Sequence, residues 1–186
     1  MSCVLIKGRK EPLCRDSVGG IKNVYLFKYI PYAYNLIQGV RGVEITSFPD
    51  IAWFKYEVIN GNFSETITND DNGVSYSQSL TFTLFKQDVS TTNELDNLQK
   101  IDLRYIVEYN NGSLKMGGVY NGARLESYTI DSGSSKSSLN GYNLTFSSQE
   151  EYSAPFINEL PIIGDYLLLE DNFNILLEDS NFIILQ

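Results

Sequence analysis

Apolar and polar residues alternate with period two along most of this chain, and that period predicts strands, because successive side chains on an extended backbone point to opposite faces. The longest such run covers residues 74–86. Val74, Tyr76, Leu80, Phe82 and Leu84 fall on one face, and Ser75, Ser77, Ser79, Thr81 and Thr83 on the other. A strand of about five or six residues is usual, so this one is long, and its small polar face predicts a wall that meets water. Residues 103–120 predict a hairpin. Asn111-Gly112 suits a tight two-residue turn, which pairs Tyr109 with Leu114, Glu108 with Lys115, Val107 with Met116 and Tyr105 with Gly118. On that register Glu108 and Lys115 form a cross-strand ion pair, and Gly117-Gly118 leaves a bend or room for a ring.

Further strands are predicted at residues 23–30, 43–48, 51–59, 63–68, 124–131 and 141–148. Asn60-Gly61 reads as a second hairpin turn and residues 69–73 as a third turn. In residues 141–148, Tyr142, Leu144 and Phe146 face in, while Asn143, Thr145 and Ser147 face out. One helix is predicted over residues 88–101, strongest from Thr91 to Lys100. Thr91 and Glu94 form its capping box, and Leu95 and Leu98 its narrow apolar stripe. Residues 132–140 are a Ser/Gly-rich loop. The predicted fold is therefore all-β, a mainly antiparallel β-sandwich or barrel with one short α-helix.

Both ends depart from this pattern. Residues 1–22 form an extended arm with Lys7, Arg9, Lys10 and Arg15; it reads equally as a solvated tail or as a contact to an acidic neighbour. Residues 23–158 form the β domain. Residues 159–186 form a C-terminal β-repeat extension, in which Leu167-Leu168-Leu169-Glu170-Asp171 recurs as Ile175-Leu176-Leu177-Glu178-Asp179 and again begins at Ile183. A small meander or a coil of very short parallel strands fits that repeat, and neither supports itself in isolation. Tyr25 and Phe27, on the second apolar face of the strand at 23–30, join Leu168, Leu176 and Ile184 as candidate inter-subunit residues.

Composition narrows the function. The net charge is −9 and His is absent. The charge opposes nucleic-acid binding and polybasic membrane anchoring. Without His, neither a Ser/His/Asp nor a Cys/His constellation can be built, and the commonest transition-metal ligand is missing. Cys3 and Cys14 allow a disulfide, but read rather as two reduced thiols of a protein made inside a cell. No signal peptide or membrane span is evident. Glu150-Glu151 and Asp70-Asp71 are carboxylate pairs, but neighbours on an extended chain diverge, so both read as solvated surface. Asp70-Asp71-Asn72-Gly73 lacks the ligand spacing of a calcium loop. Trp53, Tyr25 and Tyr29 are rings that stack on sugars in carbohydrate-binding sandwiches, although thirteen Tyr and ten Phe make a core role the default. No cofactor, no metal and no enzymatic activity are expected.

Residues 51–157 resemble the tail tube proteins of tailed bacteriophages, a fold that recurs in the tubes of type VI secretion. The resemblance lies in the long hairpin over 51–86, the single helix after it, the hairpin LRYIVEYNNGSLKMGGV and the closing NGYNLTFSSQEEYSAPFI. The segment CRDSVGGIKNVYLFKY is also similar to phage structural proteins, and the repeated LLLED tail is an addition to a minimal tube subunit. The resemblance implies a virion structural protein, made in the host cytoplasm. It implies stacked rings, commonly hexameric, that contact other tail proteins and enclose a β-barrel channel through which genomic DNA passes without specific binding. It carries no catalytic residues. On this reading Ser75, Ser77, Ser79, Thr81 and Thr83 line the channel. The alternative is a phage or extracellular β-sandwich that binds carbohydrate or a receptor.

Overall fold

A computed structural model describes residues 18–31, 38–40, 42–47, 52–71, 73–135 and 137–160. The candidate residues Leu168, Leu176 and Ile184, both cysteines, and most of the N-terminal arm and C-terminal extension lie outside the described residues. The described residues hold eleven strands and one helix, in order: β1 (Ile21–Lys28), β2 (Gln38–Val40), β3 (Glu44–Ser47), β4 (Phe54–Glu57), β5 (Asn60–Asp70), β6 (Gly73–Phe85), α1 (Val89–Leu98), β7 (Leu103–Tyr109), β8 (Leu114–Gly117), β9 (Arg124–Asp131), β10 (Gly141–Glu150) and β11 (Phe156–Ile157). The all-β class with one short helix is what the alternation predicts.

The strands form two sheets. The first has the order β2-β3-β11-β8-β7-β1-β4, and the second β5-β6-β10-β9. All pairings are antiparallel except β11 with β3. Between the sheets lies the main core. Val24, Leu26, Tyr105 and Val107 from the first sheet meet Leu80, Phe82, Leu144 and Phe146 from the second, and α1 adds Leu95 and Leu98. The Phe82 and Phe146 rings stack at 5.7 Å. Full burial of each such side chain is worth about 1.5–3 kcal/mol, so this layer dominates the fold's stability.

A second apolar cluster covers the other face of the first sheet, where Tyr25, Phe27, Ile106, Met116, Ile45 and Ile157 pack with Trp53 and Leu114 at its margin. This corrects the inter-subunit assignment of Tyr25 and Phe27. Both are buried within the chain, at 4% and 1% exposure, because β1 is covered on both faces by its own molecule.

The hairpin register also differs from the one predicted. Tyr105 pairs with Gly117, Ile106 with Met116, Val107 with Lys115 and Glu108 with Leu114. The loop is longer than a two-residue turn: Gly112 N–H donates to Tyr109 O, Tyr109 N–H donates to Ser113 O, and Gly112 carries φ +82°. That is a type I turn followed by a left-handed residue, and it shifts β8 by one position. The shift moves Met116 and Leu114 to the face of Ile106, so the hairpin feeds both clusters rather than one. Lys115 turns between the sheets to Glu65 at 3.7 Å, and Glu108 instead accepts from Tyr25 Oη at 2.6 Å, Asn23 Nδ2 at 2.7 Å and Lys22 Nζ at 3.2 Å. Gly117 does provide room for a ring. A Cβ there would lie 2.2 Å from Tyr105 Cζ.

Two further local corrections follow from hydrogen bonding and space. Asn60-Gly61 is no hairpin turn but the first pair of β5. The chain leaves the first sheet after β4 and enters the second at β5, with Val58 N–H donating to Lys22 O at the crossing. The helix is capped by Asp88, not by Thr91. Asp88 has extended backbone and its carboxylate accepts from Thr91 N–H and Thr91 Oγ1, both at 2.7 Å.

A hydroxyl and amide face on the second sheet

The second sheet turns one face to the core and the other away from it. Because β5–β6 pairs without a bulge from Asn60↔Thr83 to Asp70↔Gly73, side chains of one parity form straight rows across the strands. One row runs Asn60–Thr83–Asn143–Thr129, the next Asn62–Thr81–Thr145–Ser127, and the next Ser64–Ser79–Ser147–Arg124. Thr66, Ser77 and Gln149 form a shorter row, and Thr68 and Ser75 the last. The five residues expected to meet water therefore lie together on the face opposite Leu80 and Phe82. Ser75 and Thr81 are exposed, and Ser77, Ser79 and Thr83 are half-buried between neighbouring strands.

Formal charge on this face stands at its margins: Asp131 in the row Phe85–Gly141–Asp131, Asp70 at the hairpin end of β5, and Arg124, which is held by Asp102 at 2.5 Å. The others are hydroxyls and amides that bond sideways: Thr83 Oγ1 donates to Asn143 Oδ1 at 2.8 Å, and Gln149 Nε2 to Ser77 Oγ at 2.9 Å. A shallow depression of ≈500 Å³ lies over Asn60, Asn62, Thr81, Thr83, Asn143 and Thr145. It has no aromatic platform. The rings proposed for sugar stacking lie elsewhere: Trp53 meets the buried Tyr25 edge to face at 4.8 Å, and the Arg104 guanidinium sits 4.6 Å over the Tyr29 ring. All three pack against their own molecule.

Among the described residues the sheet ends in two free edges: β5 pairs only with β6, and β9 only with β10. Four consecutively antiparallel strands place the first and last in opposite directions. Edge devices are partial. Glu65 points inward from β5 to Lys115 and to Ala154 N–H at 2.9 Å, and β9 carries one irregularity opposite Thr145/Phe146.

The sequence reading missed a set of buried polar groups beneath the other end of the sheet. Glu150, read as solvated surface, is 2% exposed. The period-two pattern of β10 runs on through Ser148 to Glu150, and following it two residues further would have turned Glu150 inward. Its carboxylate accepts from Tyr120 N–H at 2.9 Å and Asn121 N–H at 3.2 Å, which pins the segment after β8. Burial pushes its pKa up to about 7, against the lowering effect of those two N–H donors and of Arg104. Arg104 is itself buried and donates from Nε to Val119 O at 3.0 Å. Gln78, also buried, accepts from Gly118 N–H and Ser148 Oγ, each at 3.2 Å. These groups bind backbone and each other, which is the chemistry of structural support. Asp70 and Asp71 are exposed, as expected of them. No cluster of metal-ligating side chains occurs among the described residues, and no helix among them is long and apolar enough to cross a membrane.

Comparison with protein families, with curated proteins and with solved structures finds no match for this chain.

Proposed function

We propose that this chain is a self-assembling structural protein of the phage tail-tube type, whose second sheet forms the wall of a channel that DNA crosses. The observation that carries the reading is the combination of a hydroxyl and amide face, charged only at its margins, with two edges of opposite direction on the same sheet that no described strand covers. Repeating such a sheet about an axis brings β9 of one copy beside β5 of the next in antiparallel sense, so the ladder continues and both edges are satisfied. A ring of six copies, as tail tubes commonly have, would close roughly 24 strands. At about 4.8 Å per strand the circumference is about 115 Å, and the diameter near 37 Å before strand tilt widens it.

Short hydroxyl and amide side chains keep such a bore wide. They present few cations to hold phosphate, and the chain's charge of −9 adds repulsion. Affinity for duplex DNA arises mainly from Lys and Arg neutralising phosphates, so a wall poor in them lets DNA slide. On this reading the protein belongs to the virion, touches neighbouring tail proteins at the ends of the tube, and catalyses nothing.

Replacing Ser77, Ser79 and Thr81 with Lys tests the orientation. The assembled variant should retain duplex DNA in a salt-sensitive manner that wild type lacks, while a bulky amine reagent that cannot enter the bore leaves the new lysines unmodified. Modification of those lysines in intact assemblies would place the face outside and end the proposal.

A further inference from the structure

The β5–β6 hairpin outruns its own sandwich. β10 accompanies β6 only as far as Tyr76, and the inward residues of β5 are covered only as far as Glu65. Beyond these points every β5 residue from Thr66 to Asp70 is exposed, as are Gly73, Val74 and Ser75 of β6. The ribbon therefore projects by four or five residues, roughly 15 Å at about 3.3 Å per residue. On the face that continues the core face it carries Ile67 and Val74, 60% and 49% exposed, and Asp70 and Asp71 stand at its tip. A two-stranded ribbon with an uncovered apolar face gains by docking.

At the other end of β6, about 40 Å away by strand rise, lies a cleft of ≈700 Å³. Ile59 and Phe85, 68% and 49% exposed, form its apolar lining, and Lys22, Lys55 and Lys86 stand around it with Glu57 and Tyr56. Lys22 and Lys55 face Glu108 and Glu57 in surface ion pairs, which are weak and exchange partners readily. Lys86 lies close enough to Asp88 to act on its charge. Lys86, one of the cleft's lining residues, is also the one non-glycine residue with positive φ among those described, at +66°, a backbone state that costs energy.

We propose that the hairpin tip of one copy seats in this cleft of a second copy, with Ile67 and Val74 against Ile59 and Phe85, and the tip carboxylates among the lysines. The complementary surfaces sit at opposite ends of one strand, so the contact is heterologous and head-to-tail and does not close on itself. Repeated, it stacks copies along the strand direction. The proposal rests on the self-assembly reading above and gives it an axial contact, separate from the lateral β9–β5 edge.

The test uses the full chain. An equal mixture of light and heavy-nitrogen-labelled protein is treated with a zero-length carboxylate–amine cross-linker and mapped by mass spectrometry, with sedimentation and negative-stain imaging in parallel. The expected result is mixed-isotope cross-links from Asp70 or Asp71 to Lys22, Lys55 or Lys86. Asp70→Lys with Asp71→Lys should abolish long stacks and reduce them to single rings, whereas Lys55→Glu with Lys86→Glu added to those changes should restore stacking by charge exchange. All of these positions are on the surface, so folding is not at stake, and circular dichroism of each variant checks it. Because the acid-to-lysine change removes the cross-linkable carboxylates, Ile67→Ser serves as the second variant: it keeps both carboxylates, adds no charge, and should lower the tip–cleft cross-link roughly ten-fold or more. Tubes that persist with the lysine tip, or inter-copy cross-links that map only elsewhere, overturn the proposal. Rings without tip–cleft links would refute this contact alone. Tip–cleft links in chains that never close a ring would refute the tube reading alone.

Discussion

The one-position shift of the β7–β8 hairpin can be weighed by a double-mutant cycle at Gly117 and Tyr105. In Gly117→Ala the new Cβ would stand 2.2 Å from Tyr105 Cζ and 2.4 Å from its Oη. The ring cannot simply yield, since Tyr105 is fully buried and its ring centroid is 6.2 Å from that of Phe63. Gly117 itself has no positive φ, so the penalty is purely one of space. Overpacking of this kind costs about 1–3 kcal/mol, and the depth of the overlap puts Gly117→Ala near the upper end. Tyr105→Leu alone costs about 2–4 kcal/mol through lost packing. Leu lacks the distal ring atoms that the new Cβ would strike, so in that background Gly117→Ala should cost almost nothing. The coupling is then about 2 kcal/mol or more, read from urea unfolding of the four proteins by circular dichroism. Gly118→Ala serves as the control. Its φ of +67° and its approach to Ala123 N and Leu103 O make it costly by backbone strain, which Tyr105→Leu cannot relieve. Additivity of Gly117→Ala with Tyr105→Leu to within about 0.5 kcal/mol would refute the register.

Three other outcomes follow from the buried Glu150, the half-buried Glu65–Lys115 pair and the exposed helix cap. Burial raises Glu150 to about 7 from an ordinary 4.5, so below pH 4.5 folded and unfolded chains both keep the proton and no penalty exists. The penalty grows as pH rises to 7 and then levels off at about 3 kcal/mol, from about 1.4 kcal/mol per unit. Glu150→Gln should therefore gain on wild type by up to that amount between pH 4.5 and 8 in paired unfolding experiments, and a pH-independent difference would contradict the account. Lys115→Met leaves the inward, half-buried Glu65 with only its Ala154 N–H donor and should cost about 1–3 kcal/mol, while Glu65→Leu combined with Lys115→Met should recover most of that loss in thermal melts. Asp88→Ala should weaken hydrogen-exchange protection in the first turn of α1, whereas removing the Glu94 carboxylate should leave that turn intact, because the cap is Asp88 and not a Thr91–Glu94 box.

Much of the fold was legible because period two is a strong signal when one face is dry and the other wet. The alternations of β6 and β10 assign their faces correctly, and the hydroxyl rows follow from them. Where both faces are dry the signal fails. In β1, Tyr25 and Phe27 look as if they await another chain, when they share their face with Ile106, Met116 and Ile157 of neighbouring strands and take cover from Trp53 and from Val119 and Tyr120, all distant in sequence. Asn-Gly was the least reliable guide. At Asn111-Gly112 it ends a longer loop, and at Asn60-Gly61 it starts a strand, where Gly61 allows close passage over Ile21 and Val58. Polar residues on a buried face, Gln78, Arg104 and Glu150, were hidden by the assumption that charge marks solvent. Their partners are backbone N–H and C=O groups, which no side-chain pattern reveals.

The central claim is that the second sheet closes laterally, edge to edge, with its hydroxyl face inward. Electron cryomicroscopy of the assembled full chain tests it directly. The account predicts a ring whose inner wall is a continuous antiparallel barrel, β9 of each copy hydrogen-bonded to β5 of the next, with Ser77, Ser79 and Thr81 pointing into the bore. A particle in which those residues point outward, or a chain that stays monomeric at high concentration with β5 and β9 unpaired, would contradict it.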